Sequence, residues 1–313
     1  MQIKLLRDSL FKTLCYFACV MTVTVCVGII IYVLMKGYSQ ISPEFILTEP
    51  TPTFSQDNAG GISTPIIGTV ILTLVGTLIA FPWGLASALY YTNYAKKGKL
   101  LSGFQLAVEV LAGVPTIVIA IFGLAVFTNP FWGFLSSRVE GVAGISRAFG
   151  RSFLVSGITM GIMILPYIIK TCMEALDSVP KTYMEASYAL GARKRQGIVQ
   201  VLVPAASNGI ITSVILGMGR IIGDTAIVWL TLGGTLRMTG IQPWFSPANW
   251  GSTLKNTGST LTSYIFYTSP AGEGNMPSVS FGASLVLIVI IILLNVLVDY
   301  IGRKSRIGED GRA

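Results

Sequence analysis

Histidine is absent from the whole 313-residue chain, and only 14 residues are acidic. Without histidine there is no His-activated nucleophile, no His proton shuttle and no His-based transition-metal site. Charge is scarce as well: 12% of residues are Asp, Glu, Lys or Arg, against about 25% in soluble domains. Hydrophobic residues make up 52%, and the mean hydropathy is +0.69. Lipid, not water, is the main solvent of such a chain. The four cysteines form no CxxC pair or disulfide framework. Cys15, Cys19 and Cys26 fall in the first apolar run and Cys172 stands alone, so all four read as small hydrophobes. No GxxxxGK[ST] phosphate loop occurs, so any ATP hydrolysis must be done by a partner.

Six apolar stretches are present, each about long enough to cross a bilayer as a helix: 14–35, 66–93, 104–127, 153–169, 209–232 and 282–301. The first has the basic lead of a signal peptide. Its apolar run is too long for one and no small-residue cleavage site follows, so it reads as a retained span. The prediction is an all-α integral membrane protein with six transmembrane helices, the second to sixth forming the working core and the first peripheral. Fourteen of the 22 basic residues fall in four segments that six spans put on one side. They are Lys4, Arg7 and Lys12; Lys96, Lys97 and Lys99; Lys181, Arg193, Lys194 and Arg195; and Arg303, Lys304, Arg306 and Arg312. The positive-inside rule then makes both termini cytoplasmic in a multi-pass plasma (inner) membrane protein. The same reading assigns the +8 net charge to inner loops and lipid, not to nucleic acid. The opposite loops, 48–64 and 234–280, are rich in Gly, Pro, Ser and Thr, and the second is long enough to need short helices or a docking role.

The richest segment is 174–204, EALDSVPKTYMEASYALGARKRQGIVQVLVP. Thr182 and Glu185 have capping-box spacing, so a short helix is predicted to begin at Thr182. Gly191 is placed to end it in the left-handed conformation, and Pro204 suits the first turn of the next span. Glu185-Ala186-Ser187, three residues, Gly191, nine residues, then Val201-Leu202-Val203-Pro204 resembles the EAA loop of permease subunits of ATP-binding-cassette importers. In that family the loop is the cytoplasmic coupling element onto which an ATPase docks. Residues 60–95, VLAGVPTIVIAIFGL (110–124), LPYIIKTCMEALDSVP and GRIIGDTA further resemble the PstA-type permease of phosphate importers. The family has Arg where this chain has Lys170, and GETAP where it has Gly223-Asp224-Thr225-Ala226-Ile227; both changes keep charge sign but alter reach and fork geometry.

The resemblance implies a type I ABC importer permease fold and a division into 1–60 (tail, first span and outer loop), 61–303 (transport domain) and 304–313 (cytoplasmic tail). It also implies cytoplasmic ATP-binding subunits that bind ATP and Mg, a second related permease and an extracytoplasmic phosphate-binding protein. No cofactor is expected in this chain, and no enzyme activity. Permeases for sulfate or molybdate stay open as alternatives. A secondary transporter would need internal repeats, and none is found.

Charged residues inside spans are costly and mark pathways. Arg220 falls near the middle of 209–232, with Asp224 four residues on, so the two are predicted to share a face and pair. Arg220, Asp224 and Lys170 are the candidate anion path, against the plainer readings of a structural pair and a snorkelling lysine. Glu109 reads as an interface residue, and Gly217, Gly219 and Gly223 as a close-packing set.

Overall fold

The computed structural model describes residues 2–51, 60–96, 98–140, 146–148, 150–236, 238–241 and 243–310. Lys97, Arg312 and most of the 48–64 loop's interior, which entered the sequence reading, lie outside them. Its helices in chain order are α1 (Gln2–Gly37), α2 (Pro43–Leu47), α3 (Ser63–Asn93), α4 (Lys99–Gly113), α5 (Thr116–Phe127), α6 (Phe153–Asp177) and α7 (Lys181–Ala189). These are followed by α8 (Lys194–Gly197), α9 (Val203–Ala205), α10 (Ser207–Gly223), α11 (Trp250–Lys255), α12 (Leu261–Thr268) and α13 (Pro277–Asp310). A small antiparallel ribbon, β1 (Arg138–Glu140) with β2 (Ser146–Ala148), is the only sheet among the described residues.

Four helices, α1, α3, α6 and α13, are long and apolar enough to cross a membrane unbroken. Where the other two spans were expected, the chain forms bent helix pairs. Between α4 and α5 the axis turns by 100°. Pro115 lacks an N–H and pushes Val114 into the extended region (φ −70°, ψ 129°), so 104–127 is an elbow, not the single rod the hydropathy implied. The fifth span is broken twice. The segment Lys194–Ala205 meets α10 at 67°, and α10 itself stops at Gly223. Asp224 is extended (φ −84°, ψ 129°) before a short helical stretch that ends in a π-turn at Val228–Leu232. The fourth span runs past its expected end at 169 to Asp177, so the segment assigned to a loop from 174 begins inside α6. At the C-terminus α13 continues to Asp310, through most of the expected 304–313 tail.

The core is the three-helix contact of α3, α6 and α10. Phe153, Met160, Ile164, Ile168 and Cys172 of α6 are fully enclosed against Leu72 of α3 and Ile221 of α10. In lipid such contacts rest on close packing because the tails are as apolar as leucine. Accordingly, a Cβ added at Gly157 would collide with Val75 of α3, and one at Gly76 would sit 2.8 Å from Ile221 Cδ1. The glycines expected to pack on the fifth span divide. A Cβ added at Gly217 would stand 3.4 Å from Ile164 Cδ1 and Ile168 Cδ1, whereas one at Gly219 or Gly223 would meet nothing within 4 Å. Helix α1 packs chiefly along α13, with Tyr32 edge-on to Phe281 at 5.6 Å, and is otherwise exposed, as a peripheral span should be. Its three cysteines are exposed and unbridged, while Cys172 is buried 3.2 Å from the Ser213 hydroxyl.

The long segment 234–280 does form short helices, but it is no surface connection. Ser259, Thr260 and Leu261 are buried, the Leu261 N–H donates to Thr69 Oγ1 of α3 at 2.8 Å, and Thr262 Oγ1 donates to the Asp224 carbonyl at 3.4 Å. This stretch closes the end of the bundle remote from α7.

Candidate functional site

Two places answer the sequence-predicted residues: the segment around α7, and the face of the bundle bearing Arg220.

Helix α7 starts one residue earlier than the capping-box spacing indicated. Pro180 is its N-cap, with φ −56° and ψ 134°, and no side chain caps it. Thr182 therefore lies within the first turn and the Thr182–Glu185 capping box does not form. The proline directly after the turn from α6 sets the helix start, because its fixed φ suits that position. The helix ends as predicted. Gly191 adopts φ +82°, the Ala192 N–H donates to Ser187 O at 3.0 Å and the Gly191 N–H donates to Tyr188 O at 2.9 Å. That is the two-bond Schellman ending. Ser187 is buried, and a Cβ on Gly197 would stand 2.8 Å from Ser187 Oγ, so the third position of the Glu-Ala-Ser triplet has to be small for α8 to close onto α7.

Thr182, Glu185, Ala186 and Gly191 are exposed. Thr182, Tyr183, Ala186, Ser187, Leu190 and Val201 line an open, largely apolar cleft of about 590 Å³. Leu190 is 89% exposed at its rim, more than any other large hydrophobic residue in the described bundle, so this surface is built to be covered. Glu185 lies on the other side, lining a cleft of about 330 Å³ with Asn93, Asp177, Lys181 and Lys194. Lys194 donates to the Asn93 carbonyl and lies 4.6 Å over the Tyr94 ring, so α8 is fastened to the end of α3. On the return path Pro204 follows a π-turn at Ile198–Leu202 and precedes the 67° bend, instead of opening a straight span. With no N–H on Pro204, the ladder shifts register and the Val203 N–H reaches back to Ile198 O. The α7 segment is thus joined to the ends of α6 and α3 and, through the bend, to α10.

Arg220 lies one turn before the end of α10. Its Nε donates to Met163 Sδ at 3.0 Å, and its guanidinium carbon sits 4.0 Å from the centre of the Tyr167 ring. Among the described residues no close ion pair joins it to Asp224, although the two charges remain within electrostatic reach. The predicted shared face required an unbroken helix, and the extended backbone at Asp224 removes it from that register. The Asp224 carboxylate instead accepts from the Ile227 N–H at 2.8 Å, and also from the Ala226 N–H and the Thr116 side chain. It caps the short helix after the break and ties it to the first residue of α5, so the two broken spans join at their breaks. Lys170 is exposed on α6, one turn beyond Tyr167 and two turns short of the helix end. Glu109 is exposed on α4. Tyr167, Met163 and Thr116 were missed as site residues. Tyr167 stands three residues before Lys170, on the same face, which was the available signal.

The family model described as "Binding-protein-dependent transport system inner membrane component" matches residues 80–307. The chain belongs to this family. Among relatives of this permease, the probable ABC transporter permease protein YqgH of Bacillus subtilis is 31% identical over 317 residues, covering 98% of this chain and 93% of that protein. The probable phosphate transport system permease protein PstA of Methanocaldococcus jannaschii is 26% identical, covering 95% and 94%. A chain from the crystal structure of a bacterial alginate ABC transporter has the same fold, with a TM-score of 0.63, 15% identity and 96% of each chain covered. The protein is thus a multi-pass membrane permease subunit with the type I ABC importer fold.

Proposed function

We propose that this permease forms one half of the translocation path of an ATP-driven importer of inorganic phosphate. The observation that carries the anion assignment is Arg220, held by an aromatic ring and a thioether, with Asp224 within electrostatic reach but turned to cap the next helix, beside the open positions of Gly219 and Gly223. A positive, fork-shaped donor set on an open face fits a tetrahedral oxyanion, and Lys170 adds a second positive group one turn along α6. Relatives named for phosphate transport support phosphate over other oxyanions. The face is completed by a second, related permease. The α7 surface receives a cytoplasmic ATPase subunit, which binds ATP and Mg and drives alternating access, and an extracytoplasmic binding protein delivers the anion. In this arrangement α7 and both termini face the cytoplasm, as the distribution of basic residues requires.

The test is Arg220→Gln in the assembled complex in proteoliposomes. The variant should assemble and hydrolyse ATP but fail to import phosphate. Phosphate import at near wild-type rate by an assembled Arg220→Gln complex would refute the path role. Import of sulfate or molybdate in place of phosphate by the wild type would refute the substrate.

A further inference from the structure

The Arg220 side chain is held in an uncommon way for an arginine inside a membrane bundle. A carboxylate partner would occupy the in-plane N–H groups of the guanidinium, since those are its only donors. Here the contact is made by the face: the guanidinium carbon lies 4.0 Å from the centroid of Tyr167. The one in-plane donor engaged is Nε, and its partner is the thioether of Met163, a weak acceptor. Among the described residues no hydrogen bond engages the terminal nitrogens, which face the plane set by the ring with the Asp224 charge within electrostatic reach. Tyr167 and Met163 are one turn apart on α6, and Met163 is almost fully enclosed, so the platform is rigid.

The same tyrosine reaches a third element. Its hydroxyl lies 3.5 Å from the carbonyl of Ala112, next to the last residue of α4 and two residues before the Val114–Pro115 elbow. One ring therefore stands between the elbow of one broken span and the arginine that precedes the break of the other.

We infer that Tyr167 is the positioning residue of the anion path: its face fixes the plane of the Arg220 guanidinium, and its edge reads the position of the α4–α5 elbow. A movement of α4 against α6 changes how the fork is presented, so anion binding follows the conformation of the elbow. Tyr167 acts through Arg220 and need not touch the anion. This inference rests on the assignment of Arg220 to the path.

The experiment uses the intact importer in proteoliposomes with its ATPase and phosphate-loaded binding protein, and reads labelled inorganic phosphate imported per ATP hydrolysed. Tyr167→Leu removes the aromatic face, and the ratio should fall about three- to thirtyfold, the range set by a cation–π contact that is partly to fully desolvated. Tyr167→Phe restores the face but loses the hydroxyl contact to the Ala112 carbonyl, so it should recover part of the lost ratio and leave a smaller residual loss, a graded response that a purely space-filling role would not give. If Tyr167→Leu does not assemble, Tyr167→Met, of similar reach and without a π face, takes its place with the same expected loss. A wild-type ratio in the assembled Leu or Met variant overturns the inference, and so does a Phe variant no better than Leu. Failure of the underlying reading is seen separately, in an Arg220→Gln complex that still imports phosphate.

Discussion

Replacing Gly191 with valine isolates the backbone contribution of the coupling segment. Gly191 has φ +82°, and nothing lies within 4 Å of where its Cβ would be. A side chain there meets no neighbour, so its whole cost is conformational. An L-residue in the left-handed region costs about 1–2 kcal/mol, and a β-branched one falls at the upper end. The cost falls on the two Schellman bonds that close α7, from Ala192 to Ser187 and from Gly191 to Tyr188. Because the site is exposed and outside the α3–α6–α10 core, the bundle should insert and melt as in the wild type. What changes is the equilibrium ratio of correctly ended to frayed α7, which 1–2 kcal/mol reduces by about 5- to 30-fold. Leu190, the exposed apolar tip beside the glycine, is then misplaced on the docking surface. The assay is co-purification of the ATPase with the variant, followed by phosphate import. Gly191→Asn, which tolerates the left-handed conformation, should retain most of both, and Gly191→Ala should fall between. Wild-type co-purification and import by Gly191→Val would refute the reasoning.

Three further outcomes follow from the packing and the charge distribution. A cysteine-reactive probe at position 194 should label only from the cytoplasm and one at 255 only from outside; labelling of both from one side would overturn the six-crossing arrangement. Gly157→Val should overpack the α3–α6 crossing against Val75 and destabilise the subunit by about 1–3 kcal/mol, seen as a lowered melting temperature in detergent. Gly219→Val, at an open position of α10, should leave that melting temperature unchanged while impairing assembly with the second permease or phosphate import, so equal thermal effects at 157 and 219 would contradict the packing described.

Hydropathy alone located the four unbroken spans and the region of both bent pairs, because a bilayer demands about 20 apolar residues in a row whatever their neighbours. It set the fifth at 209–232, however, where the bent pair runs from Lys194 to Gly223. The spacing from Glu185 to Pro204 marked the segment proposed for coupling, and the helix ending at Gly191 was legible because it is local: a left-handed helix ending needs only glycine. Breaks within spans were not read, although their residues stood in plain view. Gly113-Val114-Pro115 and Gly223-Asp224 each pair a flexible residue with a helix stop or cap, and an apolar surround masked both. The Thr182 start failed for a related reason: Pro180 outranked a favourable side-chain spacing. The Arg220–Asp224 pairing assumed helical continuity and fell with it. Contacts of Arg220 with Met163 and Tyr167 join residues more than fifty positions apart, and no periodicity within either helix encodes such a meeting.

The hydrogen bond from Leu261 to Thr69 spans 192 positions of the chain. At ordinary rates of synthesis, roughly 5–20 residues per second, Thr69 is made about 10–40 s before its partner. During that interval its hydroxyl is not idle, since it donates to Pro65 O within its own turn at 2.8 Å. The later bond uses a lone pair of the same oxygen, so nothing already formed has to break when Leu261 arrives. The nascent bundle can therefore hold α3 in lipid early, and the segment before α12 is fitted later, once α10 is in place to present Asp224 to Thr262 and before α13 is added. Chains that stop short of residue 261 should insert and yet be left unsealed at that end.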